Sequence, residues 1–182
     1  MAVNTYSTII DLPDANNLGL EQPCEYRPDK EKIFANKSLN YFLRSITEPY
    51  DPFKISHLRK EIPGDLLQEY YCLAEDTLLA DPGEDYASGC VSHWGEPRRQ
   101  LVFWALNSAT FVMVYHHGVM GFSTKALFMR ISGSRLIDLW VGDVGDGIKY
   151  LSTLASYIKD YRSREGEFPI INEFNPGDYL GF

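Results

Sequence analysis

The chain has 182 residues, 45% of them hydrophobic and 14% aromatic, which suits one folded domain with its own core and excludes wholesale disorder. Its formal charge of -8 excludes a general nucleic-acid binder, which carries a basic face. No apolar run approaches the roughly 18 residues that cross a bilayer, so neither nucleic acid nor membrane is expected as a partner.

Residues 1–29 are punctuated by Pro13, Gly19, Pro23 and Pro28 without a sustained period, and read as an extended arm with Ile9-Ile10 as its one strand-like step. Met1 to Leu20 shows neither a basic start nor an apolar signal core, so a cytoplasmic protein is expected. From Lys30 to Ile46 the residues Ile33, Phe34, Leu39, Phe42, Leu43 and Ile46 recur at three- and four-residue steps, predicting a helix that Pro49 and Pro52 stop. Ile55 to Glu61 reads as a short helical turn. Asp65 then reads as the N-cap of a helix with Gln68 in the capping-box position. That helix places Leu67, Tyr71, Ala74 and Leu78 on one stripe, and Gln68, Glu69, Cys72, Glu75 and Asp76 on the opposite one. Residues 81–98 form a long connection with Pro82, Gly83, Gly89, Gly95 and Pro97, which Tyr86 and Trp94 would order by packing.

Four β-prone runs follow, 100–106, 110–117, 124–131 and 135–141, separated by short turn-forming breaks. Breaks this short imply antiparallel hairpins, because a parallel crossover needs a dozen or more residues. A helix is expected over 146–164, with Asp146 as its cap, and residues 165–182 are apolar enough to dock on the body or on a second copy. The fold class predicted is α+β: a four-stranded antiparallel meander packed with helices and closed by a C-terminal helix, in a single domain over 1–182.

Four features bear on chemistry. Gly142-Asp143-Val144-Gly145-Asp146-Gly147 sits between a strand and a helix, but its two aspartates would repel phosphate and no parallel βαβ unit frames it. His116 and His117 end one strand, so their rings point to opposite faces and do not chelate one ion together; His93 or Asp138 would be needed to complete a site. Cys90 and His93 share the long connection without the signature of a catalytic cysteine, and Cys90 reads as a buried or merely tolerated thiol. The three cysteines, Cys24, Cys72 and Cys90, make an odd and sparse set, so reduced thiols are expected, and no cofactor or metal is implied.

The charge itself is local. Between Glu61 and Pro97 there are nine acids and no Lys or Arg, while the remaining 145 residues hold 16 acids against 17 bases. Most charge runs are solvated faces. This one is unmixed, unlike the rest of the chain, and an unmixed acidic surface steers basic partners. Glu75, Asp76, Asp81, Glu84, Asp85 and Trp94 are therefore the candidate partner-binding residues.

The stretch Ile55-Ser56-His57-Leu58-Arg59-Lys60-Glu61-Ile62-Pro63-Gly64-Asp65-Leu66-Leu67-Gln68-Glu69-Tyr70-Tyr71 resembles the opening of the SUKH superfamily of bacterial immunity-type proteins. Ile62-Pro63 stands for that group's Leu-Pro, and Leu66, Leu67 and Tyr70 for the packed helix face. The resemblance implies a protein that binds and blocks a toxin and has no catalytic residues to carry over. Together with the acidic stretch it gives the first functional expectation, an immunity or inhibitor-type module that binds a basic protein. The alternative is a small enzyme or ligand-binding domain with a pocket between the sheet and the 81–98 loop, using His93, His116 or His117 with Asp85. A third reading is an assembly subunit joined through its aromatic tail.

Overall fold

A computed structural model of the chain describes residues 26–35, 37–74, 78–88, 95–118, 122–133 and 135–165. Most of the expected arm, and the tail through which a second copy was expected to dock, lie outside the described residues, as do Glu75, Asp76, Cys90, His93 and Trp94.

Asp29 accepts a hydrogen bond from the Lys32 amide at 3.0 Å and opens α1 (Lys30–Phe34). The single helix expected over 30–46 is broken before α2 (Leu39–Thr47). The reason is phase. On one continuous helix Ile33 and Phe42 would fall on opposite sides. With the break, both are buried, along with Leu39, Leu43 and Ile46. The next segment is extended rather than helical at its start: β1 (Lys54–Ser56) precedes a single 3-10 turn, Arg59–Glu61. Helix α3 (Gly64–Ala74) begins at Gly64, so Asp65 lies in its first turn and not at the cap. There the carboxylate still favours the positive helix end.

Among the described residues six strands build one sheet. To β1 and the short β2 (Leu79–Ala80) are added β3 (Arg99–Leu106), β4 (Thr110–Gly118), β5 (Phe122–Ser132) and β6 (Arg135–Val144). Their order is β1-β3-β4-β5-β6, with β2 also paired to β3. Every pairing is antiparallel except β2 with β3. The fold is thus α+β with a mostly antiparallel sheet, and β1 and β2 are additions to the four strands read from the sequence. β6 runs on to Val144, paired through Ala126↔Gly142 and Thr124↔Val144, so the helix after it, α4 (Leu151–Glu165), starts later than expected. Asp146 does not cap that helix; it accepts from Thr124 Oγ1 at 3.0 Å.

Residues directly opposite in an antiparallel pair share a face, which sorts the side chains into two layers. One face carries Trp104, Leu101 and Arg99 of β3 beside Met113, Tyr115 and His117 of β4, then Leu127 and Lys125 of β5 and Val141 and Asp143 of β6. Helix α3 covers it, with the Tyr70 ring edge-on to Tyr115 at 6.1 Å. The other face carries Val112, Val114, Phe128 and Trp140, and packs against α2 through Phe42, whose ring lies 5.3 Å from Phe128. Helix α4 packs beside α2 and against β6. The core therefore lies on both sides of the sheet.

Two glycine-dependent or polar junctions hold the loops at the sheet ends. At the β4 end, a Cβ on Gly118 would lie 2.5 Å from Ala87 O and 2.6 Å from Ser88 Cα, both backbone atoms. Replacing Gly118 by alanine is expected to lower stability by about 2 kcal/mol, read from urea unfolding, because the 87–88 segment must move away. At the opposite end, Asn107 Oδ1 accepts from the amides of Ala109 and Thr110, and Asp51 accepts from both the amide and the hydroxyl of Ser108. Side-chain caps of this kind fix a tight turn without help from a helix.

Candidate functional site

The acidic connection begins directly after β2, and its first turn is held from several directions. Asp81 Oδ1 accepts from the Arg59 amide at 2.6 Å, capping the 3-10 turn. The Asp81 amide donates to Glu84 Oε2 at 2.7 Å, and the Glu84 amide donates back to Asp81 O at 3.0 Å. Gln100 Nε2 then donates to Glu84 O at 2.7 Å, fastening the turn to β3. The Arg59 guanidinium donates to Leu79 O and also lies against Tyr71. Gly83 sits at φ 88, the left-handed region that a tight turn asks of glycine.

The consequence is a division of labour among the expected binding acids. Asp81 is half-buried and structural. Glu84 is exposed while one oxygen braces the turn, and Asp85 is exposed. Leu58, next to Arg59 in the chain, is 40% exposed. The other three candidates, Glu75, Asp76 and Trp94, lie outside the described residues.

His116 and His117 do point to opposite faces, as their adjacency required. The His116 ring hydrogen-bonds Thr124 Oγ1 at 3.1 Å; that hydroxyl in turn donates to Asp146. Burial lowers the pKa of His116, and the Asp146 charge opposes the shift. His117 is 7% exposed, and its pKa is pushed down to about 3. Burial is the largest cause; the positive charges of Arg99, Lys125 and Arg98 add to it. His117 is therefore a neutral ring at neutral pH and no general acid there.

Sequence reasoning did not single out the polar group around His117. Arg99 (1% exposed) and Lys125 (4% exposed) lie in the same buried layer. Lys125 Nζ pairs with Asp143 Oδ1 at 3.0 Å. Arg99 Nη1 donates to Ala74 O at 3.5 Å, and its guanidinium carbon lies 6.0 Å from the Tyr70 and Tyr115 ring centres. The one signal in the sequence was a lysine directly before the apolar run Ala126-Leu127-Phe128-Met129. Asp138, named above as a partner for the histidines, is occupied elsewhere: it accepts from Lys32 Nζ at 2.7 Å and from the Leu139 amide. Among the described residues no group of three or more His, Cys, Asp and Glu is placed to hold a metal ion.

Cys72 corrects the expectation of reduced thiols, since it is disulfide-bonded. The other two cysteines, Cys24 and Cys90, lie outside the described residues. Disulfides persist in oxidising compartments, so thiol usage no longer supports a cytoplasmic location. Among the described residues no helix is long and apolar enough to cross a membrane.

No protein-family model, curated protein or solved structure matches the chain.

Proposed function

We propose that this chain is a protein-binding module of the immunity or inhibitor type, which presents the Asp81–Asp85 turn to a basic partner such as a toxin domain. The observation that carries the reading is the pre-ordered turn. The Asp81 carboxylate accepts from the Arg59 amide, Glu84 braces the turn from within, and Glu84 O accepts from Gln100, all before any partner arrives, so little conformational entropy is lost on binding. The exposed carboxylates of Glu84 and Asp85 give the turn a charged surface suited to a basic partner. The resemblance of residues 55–71 to the SUKH superfamily agrees with the class of partner. That reading places the protein in the cytoplasm, and the Cys72 disulfide is the observation opposed to the placement.

The variant that tests it is the double reversal Glu84→Lys/Asp85→Lys, with Asp81 left intact because it caps the turn. A partner captured by the wild-type chain at low salt should have a strongly basic surface. Its affinity should fall about tenfold or more in the double variant, and fall with added NaCl in the wild type. Unchanged affinity in the double variant defeats the proposal.

The enzymatic alternative draws less support. His117 is held neutral, and His116 is committed to Thr124.

A further inference from the structure

Three basic side chains meet out of solvent at one end of the sheet, on the face that α3 covers. Arg99 of β3 lies directly across the strand pair from His117 of β4. Lys125 of β5 is in register with Tyr115, two residues before His117, so it sits diagonally from the imidazole on the same face. All three are buried. Around them β3 adds the Arg98 charge, and β6 adds Asp143, whose carboxylate pairs with Lys125 at 3.0 Å. Helix α3 brings the Tyr70 ring, which with Tyr115 of β4 lies 6.0 Å from the Arg99 guanidinium carbon. Glu69 of the same helix has one carboxylate oxygen out of solvent. His116 turns to the other face, where Asp146 is the charge that acts on it.

A proton on His117 adds a further cation to this layer, and burial and the neighbouring charges both oppose it. The ring accepts that proton readily only once water reaches it. The described cover on this face is α3, and the 87–88 backbone closes against Gly118, next to His117. Both pieces are fastened to the sheet by few bonds. Arg99 Nη1 reaches Ala74 O at a long 3.5 Å, and β2 contributes only the pairs Leu79↔Arg99 and Ala80↔Gln100. Gln100 Nε2 holds Glu84 O, and the Ala87 amide donates to Pro97 O at 2.8 Å. Strands β3 to β6 are instead paired along most of their lengths, and α2 packs on the opposite face with α4 beside it. Units with few attachments open at lower free energy than the whole domain.

We propose that α3 and residues 79–88 form an acid-released cover over the Arg99↔His117 end of the sheet, which lifts as His117 takes up a proton while the sheet, α2 and α4 stay folded. The sign follows from the two states of the ring. In the open form it is hydrated and accepts a proton near pH 6.5; in the closed form it refuses one until about pH 3. The open fraction therefore grows as pH falls below 6.5. The Asp81–Asp85 turn belongs to the cover, so acid also loosens the surface read above as a binding site. The release itself does not depend on that reading.

The test is amide hydrogen exchange of the whole chain, read by mass spectrometry at pH 7, 6 and 5. No partner is present, and no reductant, so the Cys72 disulfide stays closed. Each rate is divided by the intrinsic rate at its pH. Amides of α3 and 79–88 should lose about 20-fold in protection between pH 7 and 5. At pH 5 they should remain less protected than α2. Urea below the unfolding transition should then lower the protection of α2 but not theirs, because a local opening exposes little surface. His117→Gln, or His117→Leu where glutamine does not fold, removes the titrating ring and should abolish most of the acid response. His116→Gln, on the other face, should retain it. The proposal is overturned if α3 and 79–88 keep their protection at pH 5. It is equally overturned if their protection falls with urea in parallel with that of α2, or if the His117 variants respond to acid as the wild type does.

Discussion

Replacing Trp104 by alanine is expected to lower the unfolding free energy by about 4 kcal/mol, seen as a melting temperature roughly 8–16 °C lower. The indole is wholly buried and stacked on Phe111, with ring centres 6.3 Å apart. It also joins two parts of the chain: its Nε1 donates to Leu58 O at 3.0 Å, and the Lys54 ammonium lies 5.3 Å from its ring centre. Trp104→Phe separates these contributions. It keeps most of the volume but leaves Leu58 O without its donor, and should cost about 1–2 kcal/mol. If phenylalanine and alanine cost the same, the hydrogen bond rather than the packing dominates, and the cavity argument is wrong.

Acidification provides the second large effect. The His117 pKa in the folded protein is about 3, well below the ordinary 6.5, so the folded state refuses a proton that the unfolded chain accepts. Above pH 6.5 the ring is neutral in both states and contributes nothing to the pH dependence. As pH falls from there towards 3, stability drops by up to about 1.4 kcal/mol per pH unit. Between pH 7 and 5 the loss from this group is about 2 kcal/mol. His116, lowered in the same direction, adds to it. The measurement is urea unfolding of the wild type and of His117→Gln at pH 7, 6 and 5. The variant lacks the titrating ring, so its stability should fall less steeply, whatever its starting value. Parallel slopes would show that His117 takes up its proton in the folded state at ordinary pH.

How much of this was legible in the sequence differs from one element to the next. The hairpins were legible because turn chemistry is local: Asn107 and Ser108 fix the β3–β4 turn with their own side chains, and Gly133 supplies a left-handed φ of 62 between β5 and β6. β1 and β2 were not legible. Three residues between prolines and a Leu-Ala pair have no periodicity to read, and they become strands only because β3 offers an edge. The split between α1 and α2 follows from a phase difference that counting three- and four-residue steps overlooks. For the acidic stretch, the sequence showed a run of carboxylates without their individual surroundings. It did not distinguish Asp81, which caps a turn, from Asp85, which faces solvent. The layer of Arg99, His117 and Lys125 required the pairing register, since its members come from three strands.

The edge of β3 has a further consequence. β1 occupies its far end at Trp104–Leu106, β2 occupies its near end at Arg99–Gln100, and the bulge between Leu101 and Phe103 separates them. In the gap, His57 Nδ1 bonds Val102 O at 2.7 Å and so fills the space that a continuous strand would have paired. The chain between β1 and β2, with α3 in it, is thus a strap buckled at both ends to one strand. If one buckle opens, the other keeps α3 close, and re-closing costs only the closure entropy of the strap, which grows slowly with its length. An invading strand finds no long run of vacant amides and carbonyls along β3, so this margin is guarded against the edge-to-edge pairing that starts aggregation.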